Sequence, residues 1–423
     1  MILKFCQPIT ISLSPNTEKD DIWLVLKLVF CPWKWKKGKA AYELENQFKQ
    51  YLGIKYAFGF NSGRTALMAI LKALDLEPGS EVLLQAFTCN AAVNPVLWTG
   101  LEPVYVDCDE DNFNIDIEDL KKKITSKSEV IIVQHTFGLP AEMVKILEIA
   151  KQNNLILIED CAHSLGAEYY NQKVGTFGRA AFFSFSRDKV ISSVYGGMVA
   201  TNDDNLAKGI KEFQNGTDYP SRFWVFQQLL HPILMNFLIL PTYRILLGKI
   251  ILILCQWFRI LSKAVNWKEK KGQKPSYFPK RMPNALALLA LNQFKKLEKF
   301  HNHRRKLTAF YYNELKISSF EVPETLSSKS LDFGGRKHSF LRFTIKHPAA
   351  HKIIKKAWQR NILIGDWYTT PIAPADTKLN KVKYKIGSCP KAEKLAEVTL
   401  NLPTHINISK TQAKKIIDFL KKF

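Results

Sequence analysis

Between about residues 40 and 205, short apolar runs alternate with segments of helical periodicity, and this alternation constrains the fold more than any other feature of the chain. The apolar runs include YAFGF from Tyr56, SEVLLQAF from Ser80, EVIIVQHTF from Glu129 and NLILIED from Asn154. Strands that alternate with helices predict parallel βαβ units. We therefore predict an α/β fold with a mostly parallel sheet, in which ligands bind at the carboxyl ends of the strands.

The length of the chain and a change in its composition divide it into three parts. With 423 residues, the chain is long enough for two domains. We predict a large α/β domain over residues 1–219, an apolar insertion over 220–275, and a linking helix with a smaller α+β domain over 276–423. In the smaller domain, HSFLRFTIKH from His338 predicts a strand, and SKTQAKKIIDFLKKF from Ser409 predicts a terminal helix.

The charge balance indicates an anionic partner. Lys and Arg number 61 against 38 acidic residues, which gives a formal net charge of +23. Nucleic acid, anionic lipid and phosphorylated small molecules all carry the required charge. Because the sequence has no zinc-finger spacing and no other nucleic-acid signature, we predict no nucleic-acid partner.

The cysteines and the N-terminus indicate the compartment. The seven cysteines are odd in number and scattered, and no two of them form a CxxC pair. This pattern predicts free thiols in a reducing compartment, without a metal site. The N-terminal residues lack a positive segment followed by a long apolar run, so we predict no signal peptide and expect a cytoplasmic location.

A glycine turn joins the strand ending at Phe60 to a helix in the sequence FNSGRTALMAILKAL. Backbone N–H groups at the start of a helix form a site for phosphate, and Gly63 allows the phosphate to approach closely. Ser62 and Arg64 flank this glycine. An ordinary strand-to-helix turn has the same pattern, so this segment by itself leaves both interpretations open.

Two carboxylates, Glu159 and Asp160, end the apolar run NLILIED, and His163 follows three residues later. A carboxylate at the end of a parallel strand can hold a cofactor's ring nitrogen in its protonated form. Asp160 is the candidate for this role, and His163 is a candidate cofactor contact. The alternatives are that Asp160 caps a helix and that His163 only packs or makes a local hydrogen bond.

The segment GTFGRAAFFSFSRDKVISSVYGGMVAT, from Gly175 to Thr201, carries a candidate nucleophile. An apolar strand leads to Lys189, whose amine can form an imine with an aldehyde if it is partly desolvated. Ser184 in the same strand can offer its hydroxyl to a phosphate. Any single lysine is most often a solvated surface residue, but a phosphate turn, a strand-end Asp, a Ser and a Lys in this order favour one site.

Together these segments resemble the DegT/DnrJ/EryC1/StrS family of fold-type-I pyridoxal-phosphate (PLP) enzymes, best known as sugar aminotransferases. The resemblance covers nearly the whole chain outside the apolar insertion. The matching pieces are SGRTAL from Ser62, VYVDCDEDNFNID from Val104, HTFGLPAEM from His135, EDCAHSLGA from Glu159, VGTFGRAAFFSFSRDK from Val174, GGMVATND from Gly196 and CPKAEKLAEVTLNLPTH from Cys389.

The resemblance implies PLP as the cofactor and a role for each chemical group. Lys189 falls where the family has its Schiff-base lysine, which also moves the proton during transamination. Asp160 falls at the carboxylate that pairs with the pyridine nitrogen, and His163 falls near the cofactor's ring oxygen.

The resemblance also implies where the phosphate of the cofactor is held. Ser184 and the turn of Ser62, Gly63 and Arg64 fall at the phosphate end of the family's site. Such enzymes are typically homodimers, in which the neighbouring subunit completes each active site.

The chain departs from the family pattern at several positions. Cys89 stands where an aromatic residue often stacks on the pyridine ring, so either His163 or another residue supplies the stacking, or the stacking is weaker. Tyr195 replaces the acidic residue usual before the two glycines. Pro279 stands where the family has an Asn that reaches across the dimer, whereas Arg281, a candidate substrate contact, is retained. Arg64 replaces a small hydroxyl residue and offers the phosphate a charged contact.

The insertion over residues 223–267 is far more apolar than the rest of the chain. Pro241, Arg244 and Lys249 interrupt it, which leaves pieces shorter than the roughly 20 residues of a spanning helix. Cations next to Trp257, Phe258 and Trp267 suit a segment that lies in the membrane interface. A buried helical hairpin that enlarges a dimer interface and a true membrane span are the alternatives.

From these patterns we predict an aminotransferase. An amino acid, glutamate by the resemblance, donates the amino group, and a keto-sugar, nucleotide-linked, accepts it. Two alternatives remain. The first is a PLP-dependent sugar dehydratase, although relatives with that activity commonly have His in place of the lysine. The second is a membrane-associated binding or regulatory protein with a degenerate site.

Overall fold

The computed structural model describes residues 7–14, 16–326 and 335–423. A seven-stranded sheet forms the centre of the large domain, and six of its strands are parallel to one another. In chain order these strands are β1 (Tyr56–Phe60), β2 (Glu81–Gln85), β3 (Glu102–Val106), β4 (Ser128–Gln134), β5 (Ile156–Asp160), β6 (Ala180–Ser184) and β7 (Gly197–Thr201). The predicted α/β class with a mostly parallel sheet is therefore confirmed.

The strand order places the predicted site at one edge of the sheet. Across the sheet the order is β1-β7-β6-β5-β4-β2-β3, and only β7 runs antiparallel to its two neighbours. Because β5 lies directly beside β6, Asp160 at the end of β5 is the register partner of Phe182. These strands are buried almost throughout, which explains why their sequences are continuous apolar runs rather than alternating ones.

Helices cover the sheet and connect its strands. Those up to the end of the large domain are α1 (Lys19–Val29), α2 (Ala40–Leu52), α3 (Gly63–Ala73), α4 (Asn90–Trp98), α5 (Ile117–Lys123), α6 (Met143–Gln152) and α7 (Asp204–Asn215). Gly53 ends α2 in the left-handed conformation, with φ 72°, a geometry that glycine adopts without steric cost. The Ser62 side chain caps α3 by accepting a hydrogen bond from the Thr65 N–H at 3.1 Å.

The insertion contributes two helices with very different surroundings. These are α8 (Arg222–Leu234), continued by a π-helical turn over Met235–Ile239, and α9 (Leu247–Trp257). Trp224, Val225 and Leu229 of α8 are buried in the core of the large domain, whereas Gly248 is the one buried residue of α9. Within the described ranges, we find no helix with the length and apolar character needed to cross a bilayer.

The remaining elements form the smaller α+β part. Its helices and its two longer strands are α10 (Asn284–Phe294), α11 (Leu297–Leu315), β8 (Arg342–Lys346), α12 (Ala350–Gln359), α13 (Pro390–Val398), β9 (Thr399–Pro403) and α14 (Lys410–Leu420). β8 and β9 pair antiparallel, and a separate core fills the space between them and α11, α12 and α14. The predicted strand at 338–347 and the predicted terminal helix are thus both present.

Several short elements join distant parts of the chain. Two-residue strands pair in parallel at Ile9–Thr10 with Ile362–Leu363 and at Thr88–Cys89 with Ile372–Ala373. A small antiparallel sheet consists of Arg336–Lys337, Glu168–Tyr169 and Gln172–Lys173. Short 3₁₀ turns lie at Pro32–Lys34, Thr136–Gly138, Glu269–Lys271, Glu324–Leu326 and Leu379–Val382. The N-terminal strand therefore contacts the smaller domain although it precedes the large sheet.

The cysteines agree with the prediction of free thiols. Six of them are unpaired thiols in the structure: Cys31, Cys89, Cys108, Cys161, Cys255 and Cys389. The seventh, Cys6, lies outside the described residues.

Candidate active site

A cleft of about 990 Å³ opens at the carboxyl ends of the sheet strands. Its lining includes six of the predicted site residues: Gly63, Arg64, Asp160, His163, Ser184 and Lys189. Segments far apart in the sequence complete the walls: Thr88 to Ala92, Ala264 to Val265, and Asp366 to Thr369. The structure therefore brings these six predicted residues together in one cleft. The neighbouring strands β5 and β6 carry Asp160 and Ser184 to the same end of the sheet.

The phosphate end of the cleft is built on close backbone packing. Helix α3 begins at Gly63, and a Cβ atom there would lie 3.1 Å from the Cβ atom of Ser184. Behind this turn, a Cβ atom on Gly197 would lie 2.5 Å from the backbone nitrogen of Gly63, too close for any side chain. The two glycines thus hold the Ser184 side chain against the first turn of α3, whose N–H groups have no carbonyl partners within the helix.

Arg64 lies beside this turn but its guanidinium is already engaged. It forms an ion pair with Glu269, and its Nη2 donates to the Ala264 carbonyl at 3.1 Å. Arg64 is 8% exposed and Glu269 is fully buried. Both partners come from the last part of the predicted insertion, residues 220–275. The charged contact between Arg64 and a phosphate stays a prediction. A phosphate would have to compete with Glu269 for the Arg64 guanidinium.

Two further side chains tie the same segment to the cleft. Arg187 donates through Nη2 to the carbonyl and the hydroxyl of Ser262, both at 2.7 Å. Tyr195, which replaces the family's acidic residue, donates its hydroxyl to the Lys263 carbonyl at 2.7 Å. We call residues 262–269 the cleft-wall segment. Its contacts make the end of the insertion part of the site.

Asp160 ends β5 and faces the cleft. Its Oδ1 accepts a hydrogen bond from the Ala162 N–H at 2.9 Å. Burial raises the pKa of this carboxyl to about 6, and the nearby Lys189 opposes the shift. A carboxylate buried in this way gains stability from any cationic group that enters the cleft, such as a protonated pyridine nitrogen.

Glu159, next to Asp160, points to the opposite side of the strand because successive side chains alternate. Its carboxylate accepts from the backbone N–H groups of Gly175, Phe177 and Gly178 at 2.7–2.8 Å. His135 Nε2 lies 3.1 Å from the same carboxylate. Glu159 therefore fixes the loop that leads into β6, whereas Asp160 lines the cleft.

His135 and Glu159, together with Cys161, are close enough to resemble a metal-ligand group. However, the second ring nitrogen of His135 accepts from the Ala141 N–H at 3.1 Å. The donor atoms of His135 and Glu159 are thus already engaged in hydrogen bonds within the protein.

Lys189 lies in the loop between β6 and β7, with its side chain in the cleft. The Asn16 side chain fixes this loop by donating to the carbonyls of Lys189 and Val190 at 2.7 and 3.0 Å. Burial lowers the pKa of the Lys189 amine, although Asp188 and Asp160 partly oppose the shift. A lowered pKa increases the fraction of neutral amine, which is the form that attacks an aldehyde.

Aromatic rings form the wall opposite the phosphate end. The His163 ring stacks on Trp367, with ring centres 5.2 Å apart, and Nδ1 of His163 accepts from the Phe137 N–H at 3.3 Å. Nε2 of His163 lies 3.5 Å from the Tyr368 hydroxyl. Burial, with the charges of Lys189 and Arg342, holds the pKa of His163 well below its ordinary value. The ring is therefore neutral and acts as an uncharged wall.

Among the residues that the sequence analysis missed are Trp367, which lines the cleft, and Glu269, which pairs with Arg64 beside it. Trp367 lines the cleft, as does Cys89, where an aromatic residue was expected. Trp367 thus supplies an aromatic surface that Cys89 lacks. Because Trp367 lies on a loop far from the other site residues in the sequence, no local sequence pattern indicated that it lines the cleft. Glu269 had a signal that was overlooked. It is the single acidic residue between Asp218 and Glu298, and an isolated acid in a basic segment indicates a specific partner.

The Arg281 backbone pairs with Phe60, at the end of β1, but its side chain is engaged outside the cleft. Its Nε donates to the carbonyls of Gln214 and Thr217, and its Nη2 donates to the carbonyl of Asn215. These bonds cap the C-terminal end of α7. Arg281 is not one of the residues that line the cleft in the described part of this chain, so its predicted contact with substrate stays a prediction.

The donor set fits a phosphorylated aldehyde cofactor with a basic ring nitrogen. A helix start and a hydroxyl face one end, a buried carboxylate lies at the end of β5, and a partly neutral amine lies between the walls. These are the groups required to hold a phosphate, to keep a pyridine nitrogen protonated and to bind an aldehyde carbon.

Comparison with known proteins agrees with this assignment. The model of the DegT/DnrJ/EryC1/StrS aminotransferase family matches residues 17–226 and 254–421. GDP-perosamine synthase of Caulobacter vibrioides is 37% identical over 212 residues, which are 50% of this chain and 57% of that protein. The alignment therefore spans little more than half the length of that relative. The pleiotropic regulatory protein of Geobacillus stearothermophilus is 27% identical over 414 residues, 96% of this chain and 95% of that protein.

A solved structure supports the fold. Helicobacter pylori PseC, an aminotransferase involved in the biosynthesis of pseudoaminic acid, superposes with a TM-score of 0.75 at 22% identity, covering 98% of this chain and 99% of that one. Between its two matched segments, the family model leaves residues 227–253 unmatched. The chain therefore belongs to the DegT/DnrJ/EryC1/StrS aminotransferase family, a family of PLP-dependent sugar aminotransferases.

Proposed function

We propose that this protein is a PLP-dependent aminotransferase that moves an amino group from an amino acid, glutamate, to a keto-sugar linked to a nucleotide. The observation that carries the proposal is the convergence of Lys189, Asp160 and the Ser184 hydroxyl in one cleft beside the start of α3. When it is bound, PLP stores the donor's amino group and withdraws electrons from the reacting carbon.

Each side chain has a defined task in this proposal. Lys189 holds the aldehyde carbon of the cofactor through Nζ. Its amine would also move the proton at the carbon that bears the nitrogen. Asp160 keeps the ring nitrogen protonated, since a buried carboxylate strongly favours a cationic partner. The neutral His163 ring forms a wall and orients the ring oxygen.

The phosphate of the cofactor is held at the opposite end in this proposal. Ser184 donates its hydroxyl, and the turn of Ser62, Gly63 and Arg64 supplies backbone N–H groups at the start of α3. Ser62 itself serves as the cap that orients this first turn. Arg64 contributes its backbone N–H. Its guanidinium, which pairs with Glu269, would add a positive charge close to the phosphate.

The identity of the acceptor rests on two observations. A relative that is 37% identical over half of this chain is named GDP-perosamine synthase, and this name describes the formation of a nucleotide-linked amino sugar. The net charge of +23 suits a substrate that bears a diphosphate. Arg281 is the proposed contact for such a substrate, and its guanidinium would have to leave the carbonyls at the end of α7 to make that contact.

Three further parts of the proposal concern the setting in which the enzyme works. We propose a homodimer, since the family resemblance implies that a second subunit completes each site. We also propose a cytoplasmic location and peripheral contact with the inner face of the membrane through residues 223–267. The exposed apolar side chains of α9 support the last part.

An absorbance experiment tests the transamination. Purified protein is mixed with PLP and then with glutamate, for the wild type and for Lys189→Ala. We expect the wild type to show the visible band of lysine-linked cofactor, and glutamate to convert this band to that of the aminated cofactor. Lys189→Ala should lack the first band.

Other results would redirect the proposal. If the wild type binds PLP but responds to no amino acid, transamination is contradicted and the dehydratase alternative gains. If the wild type does not bind PLP, a binding or regulatory protein with a degenerate site becomes the better description. The similarity of the whole chain to a pleiotropic regulatory protein would then deserve direct study.

A further inference from the structure

Helix α9 presents an apolar face to solvent. Ile250, Ile253, Leu254 and Trp257 follow the i, i+3, i+4, i+7 spacing of one helix face, and they are 51%, 65%, 41% and 74% exposed. Phe258, directly after the helix, is 64% exposed. Large apolar side chains are normally buried, so a contiguous exposed row of this kind marks a contact surface.

The apolar face continues into the loop before the helix. Ile245, Leu246 and Leu247 are 63%, 58% and 46% exposed, and Phe237 in the preceding π turn is 62% exposed. We call the exposed apolar side chains within residues 245–258, together with Phe237, the apolar face. It is longer than one helix turn and contains both aliphatic and aromatic side chains, as segments that lie in a membrane interface do.

The opposite side of α9 is firmly anchored. A Cβ atom on Gly248 would lie 2.1 Å from the Ile239 carbonyl oxygen, so the helix packs directly against the π turn. Met235, Ile239, Leu240 and Leu261 form a small core of their own beneath it. The apolar face is therefore presented by a packed helical hairpin rather than by a loose segment.

The charge around the apolar face selects the kind of partner. From Tyr219 to Lys268 the chain has no Asp or Glu and six basic residues: Arg222, Arg244, Lys249, Arg259, Lys263 and Lys268. Basic residues next to an apolar helix face are attracted to anionic lipid, with about 1 kcal/mol for each cation near the surface. A second copy of the chain would place the same cations opposite themselves, which is unfavourable.

We propose that the apolar face docks on an anionic phospholipid bilayer, with α9 lying in the plane of the interface. This inference rests on the peripheral membrane contact in the proposed function, and it adds the docking element, the lipid charge and the position of the cleft. It does not depend on the transamination reaction.

Docking of the apolar face determines how far the cleft is from the lipid. Ala264, in the cleft-wall segment, is six residues after Phe258 and lines the cleft. Six residues span at most about 22 Å when fully extended. The bilayer-bound enzyme therefore keeps one wall of its cleft within about 22 Å of the lipid surface, and α8 links the same hairpin to the core of the large domain.

Co-sedimentation of the full-length protein, loaded with PLP, tests the docking. The vesicles contain phosphatidylcholine alone, or phosphatidylcholine with one quarter phosphatidylglycerol. We expect binding to the anionic vesicles at least about tenfold stronger than to the neutral ones, and weaker at high salt. The variant Ile253→Glu with Trp257→Glu should lose at least about tenfold in binding to the anionic vesicles, because charges replace two exposed apolar side chains that would enter the lipid.

A matched variant separates docking from a general loss of charge or stability. Ile317→Glu with Ile386→Glu introduces the same two charges at apolar side chains that are 90% and 72% exposed on other elements. We expect this variant to bind anionic vesicles like the wild type. The mass of each protein in solution, measured by light scattering, shows whether the apolar face holds two subunits together instead.

The outcomes are distinct from those of the transamination test. The proposal is overturned if the wild type ignores anionic vesicles, if both double variants bind equally, or if the α9 variant only changes the mass in solution. The glutamate half-reaction is measured without vesicles on the same preparations. A protein that binds vesicles but does not react with glutamate would overturn the transamination and leave the docking intact. A protein that reacts with glutamate but does not bind vesicles would overturn the docking and leave the transamination intact.

Discussion

The Nζ atom of Lys189 lies 4.6 Å from the centre of the Trp367 ring, and the Arg342 guanidinium lies 3.3 Å from the same ring. One indole thus contacts two basic side chains, one of which is the candidate nucleophile. Cation–π contacts of this kind contribute about 0.5–2 kcal/mol each. The ring also stacks on His163, so the amine contacts a pair of stacked rings in the aromatic wall.

Substitution of Trp367 tests its part in cofactor binding. We expect Trp367→Ala to weaken PLP binding about five- to tenfold, because the aromatic wall of the cleft is lost. Trp367→Phe keeps an aromatic surface and should retain most of the affinity. The measurement is a fluorescence or absorbance titration with PLP. Trp23→Ala, at an exposed position on α1, is the control for loss of an indole elsewhere, and equal affinities for Trp367→Ala and the control would contradict the prediction.

The raised pKa of Asp160 predicts a pH-dependent stability of the cofactor-free protein. Its pKa is about 6 in the folded state against an ordinary value of 3.8, so between these values the folded state binds more protons than the unfolded state. The stability that this group contributes is therefore greatest below about pH 4 and declines until about pH 6, by about 3 kcal/mol.

Asp160→Asn should remove this decline, because an amide cannot ionise. We expect the variant to be about as stable as the wild type at pH 4 and about 2–3 kcal/mol more stable at pH 7.5. Urea unfolding of both proteins without PLP at the two pH values measures the difference. A stability difference that is the same at both pH values would show that Asp160 does not titrate as its burial implies.

Glu159 is expected to matter for stability rather than for the cofactor. Glu159→Gln replaces one acceptor oxygen by an amide group, which leaves a buried N–H of the loop Gly175–Gly178 without its partner. We expect a loss of about 2–4 kcal/mol in the free energy of unfolding. At saturating PLP, the cofactor spectrum should match that of the wild type. A spectrum altered as in Asp160→Asn would mean that the two carboxylates do not have separate tasks.

The ion pair between Arg64 and Glu269 gives a prediction about unfolding. Glu269→Ala leaves the buried guanidinium without its carboxylate, which should cost about 3–5 kcal/mol. Arg64→Leu combined with Glu269→Leu removes both charges and should recover most of this loss. A double-mutant cycle in urea measures the coupling between the two positions. Additive effects would contradict a direct pair.

Much of the fold followed from local patterns. The runs that end at Phe60, Asp160 and Ser184 are continuously apolar because these strands are buried on both faces. Such short apolar runs can be recognised from composition alone. Their order along the chain then placed Lys189 and Asp160 at one edge of the sheet. The local signals of the strand ends, and the family resemblance built on them, were enough for these positions.

The walls of the cleft could not be predicted in the same way. Trp367 reaches the cleft through contacts between distant segments, and no periodicity in its segment indicates which residue faces the cleft. Glu269 reaches Arg64 in the same way, and its isolation among basic residues was its one signal. The insertion shows the same limit. Its sequence is apolar throughout, but α8 is buried in the core whereas α9 faces solvent, and only the packing of the whole chain distinguishes the two helices.

The closed pair of Arg64 and Glu269 also bears on how this chain can change in evolution. A substitution at either position alone leaves a charge in the interior, which most proteins of ordinary stability do not tolerate. The two codons are therefore expected to vary together among descendants, or to pass through an intermediate with compensating stability. Helix α3 and the cleft-wall segment are therefore expected to constrain each other, so the hairpin before this segment could be lost only if its far end stayed in the cleft.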